Sequence, residues 1–276
     1  MRFLDGGRVL NIAHRGASSV APPNTLAAVL KAIEFGADAV EVDVRLSRDG
    51  VPVIVHDSTV RLPTGARVRV SAMSVEGLKR IDISSGFDAK FAGERIPTLA
   101  EVLESAGGLL FLNIELKSAG VLAARLPRAT VNTVQRLGLG ERVLVSSFNP
   151  VALLQTKRAA PDLAVGLLSS RATPHPLRLS LPATLLPIAT LHPHHTIVDA
   201  RYVARAQRRG LRVFTWTVDE PNEMERLIAL GVNGIITNVP QVLRALLETR
   251  SGGGDRCDQR QTPRHHTSQS QDDRHC

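Results

Sequence analysis

Four apolar runs in the first half of this chain carry charged or polar side chains where a buried strand does not tolerate them alone. They are Ile12-Ala13-His14-Arg15-Gly16, Ala39-Val40-Glu41-Val42-Asp43-Val44, Val53-Ile54-Val55-His56-Asp57 and Leu112-Asn113-Ile114-Glu115-Leu116-Lys117. An ion buried without a partner is very costly. Four such violations imply that the groups meet and satisfy one another, most simply around a metal and an anion. Strand side chains alternate between faces. Glu41 and Asp43 therefore share a face, as do Glu115 and Lys117, while Val42 and Leu116 point to the other side, where covering helices would bury them. Three carboxylates, two histidines, an arginine and a lysine are thereby directed at one cavity.

Strand-like and helix-like segments alternate along the chain. Strands are expected at Val9 to Ala13, Ala37 to Val44, Leu109 to Glu115, Arg142 to Ser146, Leu163 to Leu168, Leu211 to Thr217 and Gly234 to Thr237. A further extended run covers Val51 to Val55, and a short strand lies near Ile188 to Leu191. Helices are expected at Asn24 to Phe35 (capped by Asn24 or Thr25), Thr98 to Ser105, Leu122 to Leu137 with an interruption near Pro127, Pro150 to Ala159, Ala200 to Arg209, Pro221 to Leu230 and Val239 to Leu247. Repeated βα units predict a parallel sheet covered by helices. About eight units over about 250 residues suit a TIM (β/α)8 barrel, whose active site lies at the C-terminal strand ends. His14, Glu41, Asp43, His56 and Glu115 all fall at or near such ends. An open doubly wound sheet is the alternative, but no G-x-G-x-x-G or P-loop pattern supports it.

The barrel is expected to span residues 1–250. Asp57 to Ile96 is too long for a βα loop and reads as an insertion after the second strand, with its own short helix at Val75 to Arg80. Ala172 to Pro193 is rich in proline. Residues 251–276 show no apolar periodicity and read as a disordered tail; its four arginines and four aspartates cancel.

The formal net charge is +8. It reads first as arginine-rich solvated faces and more sharply as attraction to anionic substrates. Nucleic-acid binding would require basic clusters interleaved with stacking aromatics, and aromatics are only 3% of the chain. Met1 to Asn11 lacks the apolar core of a signal peptide, and no apolar run is long enough to span a bilayer. Cys257 and Cys276 both lie in the tail, so no disulfide staples the core. A reducing, cytoplasmic setting is expected.

The ordered set of motifs resembles the glycerophosphodiester phosphodiesterases. The matching residues are His14-Arg15-Gly16, Asn24-Thr25, Glu41-x-Asp43, His56-Asp57, Phe91-x-Gly93-Glu94-x-Ile96-Pro97-Thr98-Leu99, Glu115-Leu116-Lys117, Trp216-Thr217-Val218 and Ile236-Thr237-Asn238-x-Pro240. They cover about residues 9 to 248. The resemblance implies a TIM barrel with a small insertion after the second strand. It also implies hydrolysis of small glycerophosphodiesters to sn-glycerol 3-phosphate and an alcohol. By motif match, Glu41, Asp43 and Glu115 are the implied metal ligands; oxygen-only ligation suits Mg²⁺ or Ca²⁺. His14 and His56 are the implied general acid/base pair, and Arg15 and Lys117 the implied phosphate ligands. Lys117 has a second reading as a mere counter-ion to Glu115. Trp216 either packs in the core or walls the substrate pocket.

The chain departs from the family pattern at three places. Pro23 stands where Pro-Glu-Asn-Thr usually has Glu, and Asn233 and Asn238 stand where late aspartates are usual. Those two asparagines read as mostly structural. His192, His194 and His195 suggest a zinc site, but no Cys or carboxylate set accompanies them, so they read as loop or barrel-mouth packing. Two rival functions remain. A lysophospholipase D-like activity on a lipid would want an apolar lip, and no clear one is present. A non-catalytic phosphodiester-binding protein is motivated by Pro23, Asn233 and Asn238.

Overall fold

The computed structural model describes residues 3–5, 7–62, 64–118, 124–173 and 186–252. The chain enters through strand β1 (Leu10–His14), helix α1 (Leu26–Glu34) and strand β2 (Ala39–Leu46). Three short strands follow, β3 (Pro52–Ile54), β4 (Thr59–Arg61) and β5 (Arg67–Arg69), then helices α2 (Val75–Leu78) and α3 (Leu99–Ala106). Strands and helices then alternate: β6 (Phe111–Leu116), α4 (Arg125–Arg136), β7 (Val143–Ser147), α5 (Pro150–Ala159) and β8 (Ala164–Ser169). The last described turns of the barrel are β9 (Thr190–Pro193), α6 (Ala200–Gln207), β10 (Arg212–Thr215), α7 (Pro221–Ala229), β11 (Gly234–Thr237) and α8 (Pro240–Gly252).

Eight strands close a parallel barrel in the order β1-β2-β6-β7-β8-β9-β10-β11, and β11 returns to β1 with Leu10 opposite Gly234. Closure removes the sheet edges, and α/β connectivity puts helices outside and strand ends at one mouth. β3 lies antiparallel on β2, with Val44 opposite Ile54.

Strand alternation sorts the side chains into two cores. Val40, Val42, Leu112 and Ile114 face outward and pack against helix residues such as Val29 and Leu103. Leu10, Ile12, Leu144, Phe214 and Ile236 face inward and fill the lower barrel together with Phe3. Full burial of such a side chain is worth roughly 1.5–3 kcal/mol. The same alternation carries the polar residues of β1, β2 and β6 inward, above this apolar layer.

Local chemistry sets the helix ends. Thr25, not Asn24, caps α1: its Oγ1 accepts from Ala28 N at 3.1 Å. Gly36, at φ +67°, ends that helix in the left-handed conformation. Thr98 and Glu101 form a reciprocal capping box on α3. Pro127 does not interrupt α4 but occupies its first turn, where the missing N–H costs no helical bond. α2 stops at Leu78, short of Arg80. Together with Val53, Val60, Val70, Ile81 and Ile96, Leu78 forms a separate apolar cluster under the segment between β3 and α3.

The strand expected near Ile188 to Leu191 begins two residues later, at Thr190. Most of the proline-rich stretch (174–185) and of the tail (253–276) lie outside the described residues. No helix among the described residues is long and apolar enough to cross a membrane.

Candidate active site

Sheet register assembles the carboxylates. His14 at the end of β1 pairs with Glu41 of β2, and Asp43 of β2 stands opposite Glu115 of β6. Glu41, Asp43 and Glu115 are all buried, with one ligand atom of each lying within 4.8 Å of the others. Two cations meet them. Arg15 Nε is 3.0 Å from Asp43 Oδ2, though not in hydrogen-bonding geometry. Lys117 Nζ is 3.0 Å from Asp43 Oδ1 and 2.6 Å from Glu115 Oε1. Lys117 thus does neutralise Glu115, and it spans to a second carboxylate as well.

Three buried carboxylates against two cations leave a deficit of positive charge. Burial first, then repulsion from Asp43 and Glu115, pushes the Glu41 carboxyl well above its usual range. Burial also raises Glu115, against the pull of Lys117. Asp43 goes the other way. Burial alone would raise it, but Lys117, Arg15 and a hydrogen bond from Asn24 together hold it below its usual value. Glu41 Oε1 is buried and accepts no hydrogen bond, whereas Oε2 accepts the Arg15 amide at 3.1 Å. An uncompensated, orphaned carboxylate oxygen beside two others is the donor set that a hard divalent cation requires.

The loop after β1 is built to make these contacts. Arg15 sits at φ +58°, an uncommon conformation for a residue with a side chain, and this turns its amide toward Glu41. Gly16 follows at φ +83°, and a Cβ there would come within 2.5 Å of the Ala28 backbone. Asn24, at φ +62°, clamps Asp43 from both sides. Its Nδ2 donates to Asp43 Oδ2 at 2.9 Å, and its Oδ1 accepts the Asp43 amide at 3.1 Å. Pro23 beside it is exposed and brings no polar side-chain atom to the site.

His14 is held through a chain of bonds. Asp219 accepts from Asn238 at both the backbone amide (2.8 Å) and Nδ2 (2.6 Å). That fixes the amide so that Asn238 Oδ1 faces His14 Nδ1 at 2.7 Å. Nδ1 is then the donor, which leaves Nε2 as the acceptor, 4.0 Å from Glu41 Oε2. Burial, with help from the neighbouring Arg15 charge, lowers the His14 pKa to about 4. Asn238 is therefore no mere helix-end residue. Asn233, by contrast, is structural: its Oδ1 accepts the Val213 amide at 2.9 Å, joining β10 to the loop before β11.

His56 stands apart from this cluster. Its side chain is 43% exposed, with Nδ1 2.8 Å from Asp57 Oδ1. Among the described hydrogen bonds it joins the site through Arg45, whose Nε donates to the His56 carbonyl at 2.8 Å while Nη1 reaches the Lys117 carbonyl. Trp216 lies on another wall, partly buried. Its Nε1 donates to the His192 carbonyl at 2.8 Å, and its ring meets Phe148 and His194 edge-on at 5.6 and 5.0 Å.

The three central histidines form no common ligand set: the His194 and His195 rings lie 4.6 Å apart, and His192 stands away from them. His192 points into the barrel and is fully buried, His194 bonds Thr196, and His195 bonds Glu223 at 2.7 Å. Glu41, Asp43 and Glu115 are the metal-competent cluster among the described residues.

Asn24, Arg45, Asn238 and Asp219 are the site residues that sequence reasoning did not single out for a site role. The Asn-Thr and Thr-Asn-x-Pro motifs marked two of them, but nothing local to Arg45 or Asp219 does so.

An eight-stranded parallel barrel with three buried carboxylates that could hold a metal ion, two cations beside them and His14 at the same strand ends has the layout of a TIM-barrel enzyme site. The chain belongs to the glycerophosphoryl diester phosphodiesterase family, whose profile matches residues 14–242. A glycerophosphodiester phosphodiesterase of Caldanaerobacter subterraneus subsp. tengcongensis is 40% identical over 247 residues, 89% of this chain and 100% of that protein. An Oleispira antarctica phosphodiesterase, solved in complex with the product sn-glycerol-3-phosphate, superposes with a TM-score of 0.79. It is 32% identical, over 87% of this chain and 96% of that one. A glycerophosphodiester phosphodiesterase from Parabacteroides distasonis superposes with a TM-score of 0.71 at 28% identity, over 88% and 99% of the two chains.

Proposed function

We propose that this protein hydrolyses small glycerophosphodiesters to sn-glycerol 3-phosphate and an alcohol, with Mg²⁺ or Ca²⁺ held by Glu41, Asp43 and Glu115. The observation that carries the reading is the buried carboxylate trio, with its unsatisfied Glu41 Oε1 and only two cations to balance it. When bound, a divalent cation neutralises phosphoryl oxygen charge and orients the diester. Arg15 and Lys117, already at the trio, hold the remaining phosphate oxygens, the guanidinium through its fork and the ammonium as a point charge.

His14 acts as the general base. Asn238 fixes its tautomer, burial keeps it neutral at ordinary pH, and Nε2 takes the proton of the attacking water, whose oxygen bonds to phosphorus as the bond to the alcohol oxygen breaks. His56, oriented by Asp57 and open to solvent, returns a proton to the leaving alcohol oxygen. Such transfers are typically worth about 10²–10⁴-fold each. The barrel spans residues 1–250, with 57–96 as its inserted segment. The relative from Oleispira antarctica, bound to sn-glycerol-3-phosphate, supports the same product here.

The test is release of glycerol 3-phosphate from glycerophosphocholine and glycerophosphoethanolamine with Mg²⁺, with Ca²⁺ and with a chelator. Metal-dependent release that is lost in His56→Ala and in Glu41→Ala with Asp43→Ala is the expected result. Identical residual activity in wild type and all variants would reject the catalytic assignment.

A further inference from the structure

A cavity of about 360 Å³ lies beside the carboxylate site on its β2/β6 flank, and Arg45 and Lys117 line it. Its other polar walls are Arg69, Arg125 and the hydroxyl-bearing Ser58, Ser71 and Ser118, and no acidic residue lines it among the described residues. Arg69 and Arg125 have no ion-pair partner among the described residues. The Ser118 hydroxyl is buried with no hydrogen-bond partner among the described residues. The N-terminus of α4, which supplies Arg125, has no side-chain cap and no acidic residue in its first turn. Lys117 is already paired with Asp43 and Glu115, but Arg69 and Arg125 bring two cations to the same cavity without a counter-charge among the described residues, beside an orphaned hydroxyl and the positive end of a helix, which is the chemistry of an anion site.

We infer that this cavity is a subsite for a second anionic group, a carboxylate or a phosphate, carried on the alcohol side of the diester. The inference rests on the function proposed above. A substrate phosphate held by Arg15 and Lys117 has the cavity directly beside it, because Lys117 is common to both. Arg45 ties that flank together from within, bonded to the His56 and Lys117 carbonyls. Arg69, from the β4/β5 hairpin, and Arg125 are then specificity residues that choose the head group, not members of the catalytic machinery.

Matched substrate pairs isolate the effect. Glycerophosphoserine differs from glycerophosphoethanolamine by one carboxylate, and glycerophosphoinositol 4-phosphate differs from glycerophosphoinositol by one phosphate. Wild type should favour the more anionic member of each pair in kcat/KM by about tenfold, roughly one charge-assisted hydrogen bond. That preference should shrink with added salt. Arg69→Gln with Arg125→Gln should remove it while leaving glycerophosphoethanolamine turnover unchanged. The carboxylate and phosphate pairs show which anion is preferred.

Equal kcat/KM within both pairs, or a preference that survives the double variant, overturns the subsite while the proposed function stands. If wild type turns over no diester with any metal, the proposed function fails. Calorimetric binding of the same pairs to wild type and the double variant then decides the subsite independently. Tighter binding of the anionic member that depends on Arg69 and Arg125 supports it, and equal binding overturns it.

Discussion

His192 makes the stability of this barrel pH-dependent in a calculable way. It is fully buried between Thr190, whose Oγ1 lies 2.9 Å from Nε2, and the Phe214 ring at 5.3 Å. Gly166 makes the space, because a Cβ there would stand 2.6 Å from Nε2. Nδ1 is buried with no hydrogen-bond partner. Burial lowers its pKa from 6.5 to about 3. A base whose folded pKa lies below its unfolded value binds protons preferentially in the unfolded state. Folding stability is therefore intact above pH 6.5 and falls below it, until the folded pKa is reached.

Each full unit of pH in that window costs about 1.4 kcal/mol. Between pH 7 and pH 5 the loss amounts to about 2 kcal/mol. At pH 5 the figure hardly changes whether the folded value is 3 or 4, because the native ring is unprotonated either way. His192→Gln cannot titrate and keeps a polar atom near Thr190. Urea unfolding of wild type and variant at pH 7 and pH 5 isolates the term, since all other titrating groups cancel in the double difference. Whatever the variant costs at pH 7, its deficit should shrink by about 2 kcal/mol at pH 5. Parallel pH dependence in the two proteins would refute the reasoning and mean that His192 can take up a proton in the folded state.

Glu41→Gln should raise the thermal midpoint of the metal-free protein, because it removes a buried carboxylate that its neighbours disfavour. The same variant should lose the stabilisation that Mg²⁺ or Ca²⁺ gives wild type, worth about 2.7 kcal/mol at a hundredfold excess over Kd. Differential scanning calorimetry with and without metal reads both effects, and a lower metal-free midpoint contradicts the charge argument. Asn238→Ala frees His14 Nδ1 and should lower kcat about tenfold to a hundredfold with little change in KM, a part of what base catalysis supplies; an unchanged kcat removes Asn238 from the mechanism. Gly16→Ala drives a Cβ into the Ala28 backbone at an unfavourable φ. It should cost roughly 3 kcal/mol or more in denaturant unfolding, and a near-neutral result would mean that the β1–α1 loop can rearrange.

The alternation of apolar and polar residues along the chain is enough to put Glu41 with Asp43, and Glu115 with Lys117, on one face of a strand each, while His14 is legible only as a residue at a strand end. A side chain's face follows from parity alone, and a buried charge demands a partner whatever the fold. The βα rhythm likewise marked the barrel strands and the long segment between β2 and β6, because strand and helix periods are local properties. Helix caps were legible only in part: Thr25 and Asn24 are adjacent polar residues, and nothing in the sequence says which one caps α1 and which one turns to Asp43.

What lies beyond the sequence is every partner chosen across the fold. Asn238 meets His14 across 224 residues because β11 closes on β1, and closure is a collective outcome of eight strands. The same holds for Asp219, which sets the Asn238 amide, and for Arg45, which links His56 to Lys117. The pKa directions also follow from tertiary structure. Glu41 and Asp43 are two residues apart on one strand, yet burial and repulsion raise the first while Asn24, Arg15 and Lys117 lower the second. Local sequence fixes which side of a strand a group occupies. Desolvation and through-space charge depend on distances to residues far along the chain, and those exist only once the barrel has closed.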